Sequence, residues 1–129
     1  MTDQAQSRPV ILLLEDEAEL SKVICATLEG EFEIATAANA EEALVLLGHR
    51  QFAALVCDHN LPGTMQGLDF LKLALKLQPT ARRILLTGFI DPETLANVET
   101  EARLSACLLK PLHIARLRKA LLESLGRAT

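Results

Sequence analysis

Tryptophan and tyrosine are absent from this chain, and its 129 residues include only four phenylalanines. Proteins that hold single-stranded nucleic acid stack bases on aromatic side chains, and that platform is missing here. Positive charge is scarce too. Thirteen Lys plus Arg stand against seventeen Asp plus Glu, a formal net charge of −4, the wrong sign for following a phosphate backbone. Direct nucleic-acid binding is therefore not expected. Apolar runs are short: residues 10–14 and 84–86 fall well below the roughly 20 residues that span a bilayer. The start, Met1-Thr2-Asp3-Gln4, lacks the basic and apolar regions of a signal peptide. No membrane partner is expected, and the protein reads as soluble and cytoplasmic. The three cysteines, Cys25, Cys57 and Cys107, form an odd set without C-x-x-C spacing, each inside an apolar segment. Reduced, structural thiols follow. The histidines, His49, His59 and His113, are too scattered for a structural zinc site.

What the chain does have is apolar bulk. Half its residues are hydrophobic and 23% are charged, enough for one domain with one core and no room for a second. After a polar tail, residues 1–9, short apolar runs alternate five times with longer amphipathic stretches. That pattern predicts an α/β fold, a parallel sheet with helices on both faces, over residues 10–126. Strands are expected at 10–14, 32–37, 53–57, 83–86 and 106–109. Helices are expected at 17–29, from Asn39 to near Arg50, at 68–77, after Asp91-Pro92-Glu93, and at 113–125. Asn39 and Asp91 are N-cap types, and Pro92 suits a first helical position. Leu71, Leu73, Ala74, Leu75 and Leu77 of the third helix are expected in the core.

In an open parallel sheet, ligands bind beyond the carboxyl ends of the strands. Strand one runs into Glu15-Asp16-Glu17, strand three into Asp58, strand four into Thr87-Gly88 and strand five into Lys110-Pro111. Singly, each has a plain structural reading. Acidic residues favour helix starts, an Asp suits a turn, Thr-Gly ends a strand, and Pro stands near a first helical turn. Together they are a chemical set at four strand ends. Carboxylates gathered in one pocket raise one another's pKa unless a cation neutralises them. Mg2+ is commonly held by one or two carboxylates plus a phosphate, which matches Asp16, Asp58 and a phosphoryl group. The Lys110 ammonium and Thr87 hydroxyl supply further neutralisation, so Asp58 becomes a candidate nucleophile forming an acyl phosphate. His59 reads as a loop side chain, because a carboxylate with pKa near ~4 needs no general base at neutral pH.

These four segments, in register over nearly the whole chain, resemble the receiver domains of two-component response regulators. Glu15-Asp16 resembles the family's acidic pair, and Asp58 with Pro62 resembles its phosphoacceptor loop. Thr87-Gly88 and Lys110-Pro111 resemble its two remaining signatures. The resemblance implies a doubly wound, flavodoxin-like sheet of order 2-1-3-4-5. It implies phosphoryl transfer to Asp58 from a sensor histidine kinase or a histidine phosphotransfer protein. Mg2+ would be held by Asp16, Asp58 and the backbone carbonyl of Asn60, with Glu15 acting through a water. The Lys110-Pro111 peptide is expected to be cis.

The chain also departs from that family. Position 107, where Tyr or Phe is usual and reports phosphorylation, holds Cys, so the switch from Thr87 through Cys107 is expected to use backbone shifts or to be weak. The first acid is Glu15 rather than Asp. Residues 62–67 hold one residue more than the commonest spacing, and Arg103-Leu104-Ser105 makes a bulky turn expected at a partner or dimer surface. Arg116, Arg118 and Lys119 read as a solvated helix face. The function expected is that of a stand-alone phosphoacceptor, with no catalysis beyond its own phosphoryl transfer and hydrolysis. Met1 and the short tails suit a complete polypeptide. Its output would pass through protein contacts to a downstream effector or a homodimer formed by helix four, strand five and helix five. The alternative is a degenerate receiver that docks or dimerises without phosphorylation. A flavin carrier is disfavoured because Glu15-Asp16-Glu17 would repel a phosphate. A haloacid-type phosphatase would want Asp where Asn60 stands.

Overall fold

The computed structural model describes residues 8–88 and 91–126, so residues 1–7 of the expected tail lie outside the described residues. Five parallel strands form one sheet: β1 (Val10–Leu14), β2 (Glu33–Ala37), β3 (Ala54–Asp58), β4 (Arg82–Thr87) and β5 (Ala106–Leu109). Their order is β2-β1-β3-β4-β5, as the resemblance implied. Helices α1 (Ala18–Leu28), α2 (Ala40–Leu47), α3 (Gly67–Leu77), α4 (Pro92–Ala102) and α5 (Ile114–Ser124) alternate with them.

Strand alternation divides the core into two layers, because successive side chains point to opposite faces. On one face Leu12, Leu14, Leu55, Cys57 and Leu85 pack against Ala43, Leu47, Phe70, Leu71, Ala74, Val98 and Ala102 from α2, α3 and α4. On the other, Ile11, Leu13, Val56, Ile84 and Leu86 pack against Ile24, Leu28, Leu117, Leu121 and Leu122 from α1 and α5. Each fully buried Leu or Ile contributes about 1.5–3 kcal/mol relative to an exposed one. The caps fall where expected. Asn39 Oδ1 accepts from the Glu42 N–H at 2.9 Å, and Asp91 Oδ1 from the Thr94 N–H at 2.9 Å. Each is worth about 1 kcal/mol.

Differences from the sequence-based expectation have physical causes. The second helix ends at Leu47 rather than near Arg50, because the buried Gln78 side chain takes over the turn. Its amide donates to Leu47 O at 3.0 Å and Arg50 O at 2.8 Å, and its oxygen accepts from the Phe52 N–H at 2.9 Å. With Gln78 at the inner position, Leu77 is 53% exposed at the end of α3 and does not join the core. Arg83 lies buried within β4. Its guanidinium donates to Ala102 O at 2.9 Å, to Arg103 O at 3.1 Å and to Ala81 O, holding the left-handed turn at Arg103. Leu104 packs inward from that bulky turn, while the Arg103 and Ser105 side chains stay exposed. On α5, Arg118 is engaged in a two-point ion pair with Glu31 at 2.6 and 2.8 Å.

Candidate functional site

The strand order reverses between β1 and β3, and this is where acidic residues collect. Glu15 and Asp16 follow β1 directly, and Asp58 is the last residue of β3. Carboxylate oxygens from all three lie within 4.8 Å of one another. Asp58 is 2% exposed and Glu15 3%, while Asp16 reaches solvent. From the end of β5, across β4, Lys110 Nζ donates to Asp58 Oδ2 at 2.8 Å. Thr87 is 1% exposed at the end of β4, between these two strands, and its carbonyl accepts from the Lys110 N–H at 2.8 Å. The Lys110-Pro111 peptide is cis, as expected.

Asp58 is held on several sides. Its Oδ1 accepts from the Asn60 N–H at 3.1 Å, so the chain folds back over the carboxyl group. Behind it, the Cys57 thiol faces the Asp58 carbonyl at 3.3 Å and Gly67 O at 3.7 Å. Burial, with the charges of Asp58 and Glu15 adding, keeps that thiol protonated. Gly67 is required where it stands: a Cβ there would lie 2.1 Å from Asp58 O and 2.9 Å from its carbonyl carbon, both backbone atoms. Cys107 sits elsewhere. It pairs with Leu85 in the sheet and packs half-buried against the α2, α3 and α4 layer.

The electrostatics call for a cation. Burial pushes the Glu15 carboxyl up to about 7; the Glu17 N–H opposes this, Asp58 adds to it, and Lys110 and Asp16 pull in opposite directions. Burial alone would lower the Lys110 ammonium, but the hydrogen bond and charge of Asp58, then Glu15 and Glu17, hold it above its ordinary value. Glu15 Oε2 accepts from the Glu17 N–H at 3.0 Å, whereas its buried Oε1 has no hydrogen-bond partner. An orphaned buried oxygen among crowded carboxylates, with all-oxygen donors, fits a hard divalent cation. Glu15 and Asp16, but not Asp58, also line a groove of about 500 Å³ that includes Ser21, Lys22 and Glu42.

Glu15, Asp16, Asp58, Thr87 and Lys110 are thus brought to one edge, and Asn60 touches Asp58 through its N–H. Sequence reasoning missed Gly67, the Cys57 thiol and Gln66. Gln66 Oε1 accepts from the Leu61 N–H at 3.0 Å, and its Nε2 donates to Leu61 O at 3.0 Å and Gly63 O at 3.2 Å. Nothing in a lone Gln before an apolar helix announces such a role.

The five-stranded parallel sheet of order 2-1-3-4-5 with helices on both faces is that of CheY-like receiver domains. Residues 11–122 match the response regulator receiver domain, and the chain belongs to that family. It is 30% identical over 107 residues to the hydrogenase transcriptional regulatory protein HoxA of Cupriavidus necator, covering 83% of this chain and 22% of that protein. The chain therefore spans about a fifth of the length of this curated relative. A CheY-like response regulator receiver domain protein from Methanospirillum hungatei superposes with a TM-score of 0.85 at 29% identity, covering 93% of this chain and 95% of that one. A response regulator from Burkholderia pseudomallei, solved with a phosphorylated aspartic acid, a calcium ion and citrate, matches at TM-score 0.79 and 26% identity, over 92% of this chain and 69% of that one. No helix among the described residues is long and apolar enough to cross a membrane.

Proposed function

We propose that Asp58 accepts a phosphoryl group from the phosphohistidine of a sensor kinase or a histidine phosphotransfer protein, in a Mg2+-dependent reaction. The observation that carries this reading is the Lys110 ammonium 2.8 Å from Asp58 Oδ2, beside carboxylates of Glu15 and Asp16 within 4.8 Å. The phosphorylated aspartic acid of the Burkholderia protein supports it by analogy.

An Asp58 oxygen attacks phosphorus, an O–P bond forms and the P–N bond breaks, its electron pair returning to the donor ring, which already carries a proton on its other nitrogen and so leaves as neutral imidazole. Both Asp58 oxygens already accept hydrogen bonds, yet each keeps a second lone pair for attack. Asp16, Asp58 and the Asn60 carbonyl would hold the cation, with Glu15 ordering a water on it. When bound, Mg2+ neutralises charge on the transferring group. Lys110 faces the same charge from the other side, and Thr87 lies buried between them to receive a phosphoryl oxygen. Output then passes by protein contact. The α4, β5 and α5 face carries Leu109, 63% exposed, beside a cavity of about 230 Å³ lined by Cys107, Leu112, His113 and Arg116.

Incubation with acetyl phosphate and Mg2+ tests this. Native protein takes up one phosphoryl group, and Asp58→Asn takes up none. Failure of native protein to label would favour the phosphorylation-independent docking module instead.

A further inference from the structure

The loop from Asp58 to Gly67 is tied down at both ends. Asp58 ends β3, and Gly67 opens α3 with its backbone against the Asp58 carbonyl and its N–H donating to His59 O at 3.1 Å. Between them the chain reverses at Gly63, whose φ of +92° suits a residue without Cβ. A helix N-cap side chain ordinarily bonds its own first turn. Gln66 is the N-cap residue of α3 yet makes no capping bond. Its amide turns back across the loop instead, to Leu61 N, Leu61 O and Gly63 O.

The bond to the Leu61 N–H has a specific geometric consequence. That N–H and the Asn60 carbonyl belong to one planar trans peptide, so they point in opposite directions. Holding the N–H on Gln66 Oε1 fixes the carbonyl facing away from Gln66. Turning that peptide over would break the 3.0 Å bond, and Leu61 is only 6% exposed, which limits replacement by water.

We propose that Gln66 is a positioning residue for the cation site: by clamping the Asn60–Leu61 peptide it aims the Asn60 carbonyl and sets Mg2+ affinity. This rests on the reading of Asn60 as a carbonyl ligand. Outer-shell partners that orient metal ligands typically carry about 10–100-fold in affinity.

The test titrates the unphosphorylated protein with Mg2+ alone, reading affinity by calorimetry, amide shifts by NMR and fold by thermal melting. Gln66→Ala is expected to weaken Mg2+ binding about tenfold. Its melting should fall by several degrees yet stay cooperative, the cost of stranding the Leu61 N–H, and the Leu61 amide should exchange faster than in native protein. Gln66→Glu keeps an acceptor for the Leu61 N–H, so it should retain both slow exchange and near-native affinity. Native Mg2+ affinity in Gln66→Ala, while Asp16→Ala loses binding, would overturn the proposal and leave the acidic site standing. No Mg2+ binding by native protein would overturn both. Should Gln66→Ala fail to fold, Gln66→Glu decides: weak binding despite a protected Leu61 amide refutes the clamp.

Discussion

A buried carboxyl that titrates near neutrality makes the metal-free protein lose stability as pH rises. Glu15 sits at about 7 in the folded chain against 4.5 for the ordinary side chain, chiefly because burial disfavours its charged form. The folded state thus binds more protons than the unfolded state in that window. Stability is complete below about pH 4.5 and falls as pH climbs through 7. Between about pH 5 and pH 8 such a shift removes about 2–3 kcal/mol. For a domain of this size that is a fall of about 10 °C in Tm. Glu15→Gln removes the ionisation and keeps an acceptor for the Glu17 N–H. Thermal melts of both proteins in EDTA, across that pH range, isolate the effect as a difference, because every other titrating group is common to both. The native protein should approach the variant at low pH and fall below it by about 10 °C at high pH. Adding Mg2+ should flatten the native curve, since a cation favours the ionised cluster. Parallel curves for the two proteins in EDTA would refute the burial argument.

Lys110→Ala should label from acetyl phosphate at least tenfold more slowly, by roughly the value of one charge-stabilising donor. It should also bind Mg2+ more tightly than native protein, because an ammonium that competes for the Asp58 carboxylate has gone; calorimetry checks the second point. Gly67→Ala drives a methyl into the Asp58 carbonyl and should cost about 3 kcal/mol in urea denaturation. Arg83→Met strands the Ala81, Ala102 and Arg103 carbonyls and should cost a similar amount, about 3 kcal/mol. Phosphoryl uptake per folded molecule should stay native there, because Arg83 lies at the start of β4, opposite the site.

Much of this was legible in the residues. The strands are short apolar runs, and the runs that build the site stop abruptly at charged or polar groups, so Glu15, Asp16, Asp58, Thr87 and Lys110 could be placed at one edge before any coordinates. Asn39 and Asp91 declared their helices because capping is a local interaction. What stayed hidden depends on partners distant in sequence. Gln78 ends a helix 31 residues earlier, and Arg83 holds a turn about 20 residues later. Gln66 folds over a loop whose path no local pattern predicts. Each is a polar side chain spent on backbone groups, and residue type says nothing about which carbonyl it will meet.

Borohydride reduction of freshly phosphorylated protein, followed by peptide mass spectrometry, reads the acyl phosphate as homoserine at the modified position. The account predicts homoserine at position 58 alone, formed with phosphodonor and Mg2+ together and lost when either is withheld. Reduction product at another carboxyl, or equal yield in EDTA, would contradict it.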